Sequence, residues 1–370
     1  MRAPRARLSL QLVEPPPDGL PDPIALQHPL FALLEALDAL GSLQHAARSL
    51  GLSYRHCWGE LHRWEGQLGQ PLVRWARGQR AVLTPEGRTL LQRERLCRAR
   101  LSGSIGQLQQ ALDALFLPVD APVLRLAGAA DPLLGRLQLQ ARAIGLALPV
   151  QPARPAEALQ AVVRGRCDAA VLSLREGLRR DGPSARALRA GLRPGAQKLI
   201  QLGQRSLGLM LPPGNPDRVT GLADLDRLPC LRSPEDSAEH LTLAELRAQA
   251  GLPPPPEGAE EPCPEALAEQ LRAGHAALAF GPEVAARAAG LDFLPLVREH
   301  CLLLMPRAAL DAVPAACLLA LLAGPAWAAA LAQMPGCSAL GAGRVLPLGR
   351  MLSWWPVAAL RADRAEDLAA

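Results

Sequence analysis

Aromatic side chains are scarce in this sequence: 3% of its 370 residues, with a single tyrosine, Tyr54, and four phenylalanines. Lysine is scarcer still, Lys198 alone, so arginine carries nearly all the positive charge, a skew that reflects genomic base bias and not function. The eight cysteines lie scattered, with no C-x-x-C and no paired Cys/His spacing, which argues against structural zinc and against a disulfide framework. Histidines show no ligand spacing either: His56 and His62 are six apart and share a helix face poorly. No G-x-S-x-G, P-loop or H-E-x-x-H occurs, so no enzyme chemistry, metal or cofactor is expected.

Long hydrophobic runs are missing as well. The opening M-R-A-P-R-A-R-L-S-L-Q-L-V offers only a six-residue semi-apolar stretch before Pro15-Pro16-Pro17, too short for a secretory core. The charge-free stretch from Ala312 to Ala332 is broken by Pro314 and by Gly324-Pro325, which predicts two short buried helices in place of a membrane span. A cytoplasmic protein without membrane contact is expected. Hydrophobic residues at 49% and charged ones at 20% exclude wholesale disorder and collagen-like repetition. A chain of 370 residues exceeds one ordinary core and predicts two or three folded units.

What is present is unevenly placed. Residues 1–110 hold 14 Arg against 9 Asp and Glu, so the whole net charge of +5 sits at the front and the remainder is neutral. That asymmetry predicts an amino-terminal module facing a polyanion. Leu30, Leu33, Leu34 and Leu37 recur at helical spacing until Gly41. Ser42 can cap a second helix with Leu43, Ala46, Ala47 and Leu50 on its apolar face, and Gly51 follows where a tight turn needs positive φ.

Ser53 then caps a third helix, whose buried stripe reads Cys57, Leu61, Trp64 and Leu68 and whose opposite face carries Tyr54, Arg55, Trp58 and His62. Pro71 to Val73 and Ala81 to Leu83 read as two short strands joined through a basic segment with Gly78 at the turn. Thr84-Pro85-Glu86 restarts a helix. Along it Leu101, Ile105, Leu108, Leu112 and Leu115 repeat at 4, 3, 4 and 3, the rhythm of a helix that packs on a second copy, although Gly103 and Gly106 threaten to bend it.

After Pro118 short strands and helices alternate, an α/β texture. Strands are expected at 123–127, 146–151, 169–174, 206–211, 276–280 and 301–305. The stretch after Gly336 shows no clear pattern.

Three helices followed by a basic hairpin have the order of a winged helix-turn-helix, and a helix about 10–12 Å across fits the major groove of B-DNA. Ser53, Tyr54, Arg55, His56, Trp58 and His62 are the candidates for base edges, sugars and phosphates, and Arg74, Arg77 and Arg80 for the flanking backbone. The run G-S-L-Q-H-A-A-R-S-L-G-L-S-Y-R-H-C-W-G-E-L-H-R-W-E-G-Q-L-G-Q-P-L-V-R, residues 41–74, resembles the DNA-binding domain of LysR-type regulators, and L-T-P-E-G at 83–87 continues the likeness into that family's linker helix. Within the group, S-Y-R-H-C-W at 53–58 is similar to molybdate-responsive ModE-type regulators.

The remaining two thirds resemble, more weakly, a type II periplasmic-binding-protein fold, on V-L-R-L-A-G-A-A-D-P-L-L (123–134), V-V-R-G-R-C-D-A-A-V (162–171), V-T-G-L-A-D-L (219–225) and L-R-A-G-H-A-A-L-A-F-G-P (271–282). The resemblance implies a multidomain protein: a tail (1–25), a winged helix-turn-helix (26–85), a linker and dimerisation helix (86–118), a two-lobed α/β periplasmic-binding-protein-like sensor (119–350) and a second tail (351–370). It places a ligand at Ala129, Ala130, Asp131, Ser233, Ser237 and Gly281.

The implied function is a dimeric regulator that binds double-stranded DNA and senses a small effector, an oxyanion such as molybdate or tungstate being one candidate. G-A-A-D and R-S-P-E-D-S-A-E-H depart from the hydroxyl-rich runs of related sensors, and Glu235, Asp236 and Glu239 add acid where an anion would sit. The alternatives are a ligand-independent regulator whose second domain only assembles oligomers or, less in keeping with the sequence, a solute-binding protein or enzyme.

Overall fold

The computed structural model describes residues 28–75, 80–113, 118, 120–129, 131–175, 177–193 and 195–352. The expected tails 1–25 and, beyond Leu352, 351–370 lie outside these residues, as do Arg77, Leu115 and Ala130. The chain forms two compact units divided between Ser102 and Gly103.

In the first unit, α1 (Pro29–Leu40), α2 (Leu43–Ser49) and α3 (Tyr54–Leu68) precede a hairpin of β1 (Val73–Arg74) and β2 (Val82–Leu83), after which α4 (Pro85–Asp113) begins. The expected punctuation forms. Gly41 closes α1 at φ 65°, Ser42 and Ser53 cap α2 and α3 by accepting from the N–H groups of His45 and His56, and Gly51 has φ 66°. Leu34, Leu37, Ala46, Cys57 and Leu61 make the core; Trp64 and Leu68, expected in the buried stripe, are only half-buried against it. Val73 pairs with Leu83 and Arg74 with Val82, and Glu65 Oε1 accepts from Leu72 and Val73 N–H at 2.8 and 3.3 Å, which locks the end of α3 to the hairpin. Helix α4 runs through Gly103 and Gly106 without a break.

Gly87 marks the tightest point of this unit. A Cβ there would stand 2.2 Å from the backbone oxygen of Leu72, so neither partner can yield cheaply. Gly87→Ala is expected to destabilise the unit by about 1–3 kcal/mol, the usual cost of overpacking. Calorimetry of the full chain checks this: the unit's transition falls by several degrees, and an unchanged midpoint would refute the close packing of α4 on the hairpin.

The second unit continues with β3 (Leu126–Gly128), α5 (Pro132–Ala143), β4 (Val150–Pro152), α6 (Pro155–Val163), β5 (Ala169–Leu174), α7 (Pro183–Arg189), β6 (Gln197–Leu211), β7 (Cys230–Arg232), α8 (Ala238–Gln249), β8 (Ala259–Glu260), α9 (Pro264–Arg272), β9 (Leu278–Pro282), α10 (Glu283–Ala288) and β10 (Asp292–Pro306). It ends with α11 (Val313–Ala323), α12 (Pro325–Ala332), β11 (Cys337–Ser338), β12 (Val345–Pro347) and α13 (Leu348–Met351).

One mixed sheet holds the strands in the order β4-β3-β5-β10-β6-β9-β7-β8, with β11 and β12 added on β6. β3, β4 and β5 are parallel and form one lobe; β7, β8 and β9 are parallel and form the other. The antiparallel pair β6 and β10, fifteen residues each, runs through both. Their register shifts between Cys301 and Leu302, near the place where β10 leaves β5.

Helices α5, α11 and α12 cover one face of the first lobe around Leu137, Ile200, Leu303 and Trp327, and α6, α7 and α13 cover the other. The stretch from Ala312 to Ala332 forms α11 and α12, bent 60° at Gly324 and burying Leu318, Trp327 and Leu331. Among the described residues no single helix is long and apolar enough to cross a membrane.

Several strand expectations need correction. β5 falls at 169–174 as read, but β3 starts at Leu126, with Val123 making only a bridge to Ala147, and β4 takes only 150–151 of the expected 146–151 and runs on to Pro152. β9 lies two residues later than expected. β6 and β10 extend far beyond 206–211 and 301–305, because polar residues that break the apolar pattern, such as Gln197, Gln201, Arg205 and Glu299, are buried in the strands and satisfied there. β7 and β8 were not expected, nor were the short strands after Gly336.

Candidate nucleic-acid interface and effector cleft

The amino-terminal half of α3 presents Tyr54, Arg55 and His56 to solvent, with Ser53 beneath them as the cap. Tyr54 is 51% exposed and stacks on Trp58, ring centres 6.2 Å apart and planes 14° apart. His62 meets Trp58 edge-on at 4.2 Å, and Trp75, not expected among the interface residues, stands 5.3 Å from Trp58. Trp58 is therefore half-buried as the hub of an outward aromatic cluster, which fixes the side chains about it. Glu60 is held by Arg63 at 2.6 Å, and that hydrogen bond keeps its carboxyl below the usual range.

Arg74 is exposed on β1 of the hairpin. Arg80 is not extended: it donates to the carbonyl of Ala39 at 3.2 Å and packs over Gly41, so part of its guanidinium closes the end of α1.

Between the lobes of the second unit lies a cavity of about 340 Å³. Ala129, Asp131, Ser233 and Ser237 line it; Gly281 does not. Gly281 sits inside β9 against Met210, and the further helix start at the cavity is that of α9, at Cys263 and Pro264. Asp131 caps α5, accepting from Leu133 N–H at 2.7 Å, and Ser237 caps α8.

The residue that organises the cavity was missed from sequence. Arg205, on β6 and 4% exposed, donates to Asp131, to Glu239 Oε1 at 3.1 Å and, through Nε and Nη2, to Glu299 Oε2 at 3.2 Å. It thus ties α5 in one lobe to α8 in the other and to β10 between them. Thr242 donates to Glu299 Oε1 at 2.6 Å, and burial pushes the Glu299 carboxyl above its ordinary range, against the pull of Arg205. At the rim Arg154 reaches across to Asp236 at 3.3 Å. Burial also pushes both cleft thiols up, Cys301 among them and Cys263 to about 12, which favours the neutral thiol over the nucleophilic thiolate. Among the described residues no three His, Cys, Asp or Glu side chains gather as a metal site.

A helix-turn-helix with a hairpin wing, followed by a two-lobed mixed sheet around a cavity, defines a regulator that carries its DNA reader and its sensor in one chain. Residues 30–88 match the family model of the bacterial regulatory helix-turn-helix protein, lysR family, and residues 137–323, half of the chain, match the PBP superfamily domain. The chain belongs to the PBP superfamily and, with its lysR-family head, is a LysR-type DNA-binding transcriptional regulator with a PBP-like effector-binding domain, not an enzyme.

No curated protein matches its sequence. Similar solved structures include a mutant of OxyR from Corynebacterium glutamicum (14% identity, TM-score 0.41, 79% of this chain and 90% of that one). CbnR complexed with its target DNA (17%, 0.40, 80% and 98%) and the probable transcriptional regulator PA0477 from Pseudomonas aeruginosa (20%, 0.39, 81% and 98%) are further examples. The ModE-type reading of residues 53–58 finds no support in these matches.

Proposed function

We propose that the chain works inside the cell as a dimer, laying α3 into the major groove of its operator while a small effector in the cleft sets the pose of the two DNA-reading heads. The exposed start of α3 carries this reading: Tyr54, Arg55 and His56 face solvent at a helix N-terminus, where the dipole favours phosphate and side chains reach base edges. The effector acts by binding one lobe arrangement better than another. An oxyanion such as molybdate or tungstate is a poor fit, because both guanidiniums of the cleft are already engaged by carboxylates. The ligand-independent alternative gains from the same fact, since Arg205 links the lobes without help.

For the dimer, α4 supplies the seam. Leu101 and Leu108 are 40% and 46% exposed, with Ile105 and Leu112 half-buried on the same stripe. Leu108→Asp is expected to give monomers in sedimentation and to weaken operator binding by about 100-fold or more, since a lone head forfeits the second half-site. A variant that stays dimeric would remove α4 as the seam.

A further inference from the structure

Four helices of eight or more residues begin around the cleft, α5, α6, α8 and α9, and helix starts ordinarily favour anions. Here each start carries a carboxylate of its own. Asp131 caps α5; Glu157 of α6 accepts from Arg154 N–H at 3.1 Å; Glu239 and Glu265 lie in the first turns of α8 and α9. Glu299 stands behind them and Asp236 at the rim: Asp131, Glu239 and Glu299 pair with the Arg205 guanidinium and Asp236 with that of Arg154, while Glu157 and Glu265 add two more carboxyls at the helix starts. The places where an anion would dock are taken by the chain itself, and the surplus charge is negative. Burial raises the Glu265 carboxyl, and the nearby charges of Asp131 and Glu239 raise it further, as expected where negative charge is under-compensated.

An independent observation marks the same place as unfinished. Ser233 lines the cavity, is 7% exposed, and its hydroxyl has no hydrogen-bond partner among the described residues. A buried polar group without a partner is rare in a folded protein and calls for one from outside the chain. Leu133, Leu134, Val171 and Leu202 supply an apolar wall, and about 340 Å³ suits a small molecule.

We infer that the cleft takes a small organic cation: a primary ammonium or guanidinium on a short apolar body, its charged head by Asp131 and Glu239, with an N–H donated to Ser233 Oγ. The inference rests on the reading of this cavity as the effector site, and names the chemistry of the effector. Arg205 does not oppose such a ligand, because three carboxylates already outweigh its charge. The apolar body lies on Leu133 and Leu134, which keeps simple inorganic cations from competing well.

Titration calorimetry on the full chain tests this with butylammonium, butylguanidinium and 1,4-diaminobutane against molybdate, sulfate and butyrate. The expected result is that at least one organic cation binds and no anion does. Glu239→Gln then weakens the cation at least about tenfold, and Ser233→Ala, which leaves every ion pair in place, weakens it severalfold. Circular dichroism and operator binding without ligand confirm that each variant is folded. Binding of an anion but no cation would overturn the inference and leave the effector cleft standing. Binding of no probe by a chain that still grips its operator would overturn both and favour the ligand-independent regulator. Cation binding untouched by both substitutions would also overturn it, by placing the ligand elsewhere.

Discussion

Arg205→Met is expected to lower the melting temperature of the second unit by roughly 6–20 °C. The substitution keeps the length and apolar stem of the side chain but strands Glu299, which is 0% exposed, with Thr242 as its remaining partner. Removing one partner of a buried ion pair costs about 3–5 kcal/mol, and each kcal/mol moves the midpoint of a domain of this size by about 2–4 °C. The sign of the pH dependence follows from Glu299, whose carboxyl burial already raises and would raise further without Arg205. A carboxylate raised on folding is tolerated below its unfolded value, about 4.3, and costs stability as the pH climbs through its folded value. The deficit of the variant therefore grows as the pH rises from the acidic side and shrinks on acidification. Scanning calorimetry at neutral and mildly acidic pH reads both, and the double change Arg205→Met with Glu299→Gln should recover much of the loss. A midpoint within a degree or two of the parent would mean that Arg205 holds nothing together.

Arg55→Ala is the second large effect. Arg55 is exposed at the second position of α3, two residues from the cap, and makes no ion pair among the described residues. An arginine at a base edge is worth about 1–3 kcal/mol of discrimination, so affinity for the operator should fall by about 5- to 150-fold, with less loss on unrelated DNA. Anisotropy with labelled upstream DNA and a scrambled duplex measures both. Equal loss on the two duplexes would reassign Arg55 to a phosphate; no loss on either would take it out of the interface.

The head was legible because its signals are local. Ser42, Ser53, Gly41 and Gly51 each act within a turn of their own position, and the hairpin register follows from two short apolar runs. The cleft was legible only in part, and for the same reason: Asp131, Ser233 and Ser237 lie at or just before helix starts, which sequence marks well. Arg205 was lost because its role is made by residues 34 to 94 positions away, and inside a strand it reads as a break in the apolar pattern. That break was itself the signal, since Leu199, Ile200 and Leu202 precede it and Leu207 and Leu209 follow, all buried. Gly281 misled in the opposite way: it does precede a helix, α10, but that helix does not open on the cavity.

The central claim, that α3 and its flanking arginines seat this protein on duplex DNA, is tested most directly by the salt dependence of binding. A head that neutralises several phosphates releases as many counterions. Between about 50 and 200 mM salt, the full chain should lose roughly 100-fold or more in affinity for its own upstream DNA, with a linear log–log slope that Arg74→Ala makes shallower by about one. Weak retention, equal at both salt concentrations and indifferent to Arg55 and Arg74, would contradict it.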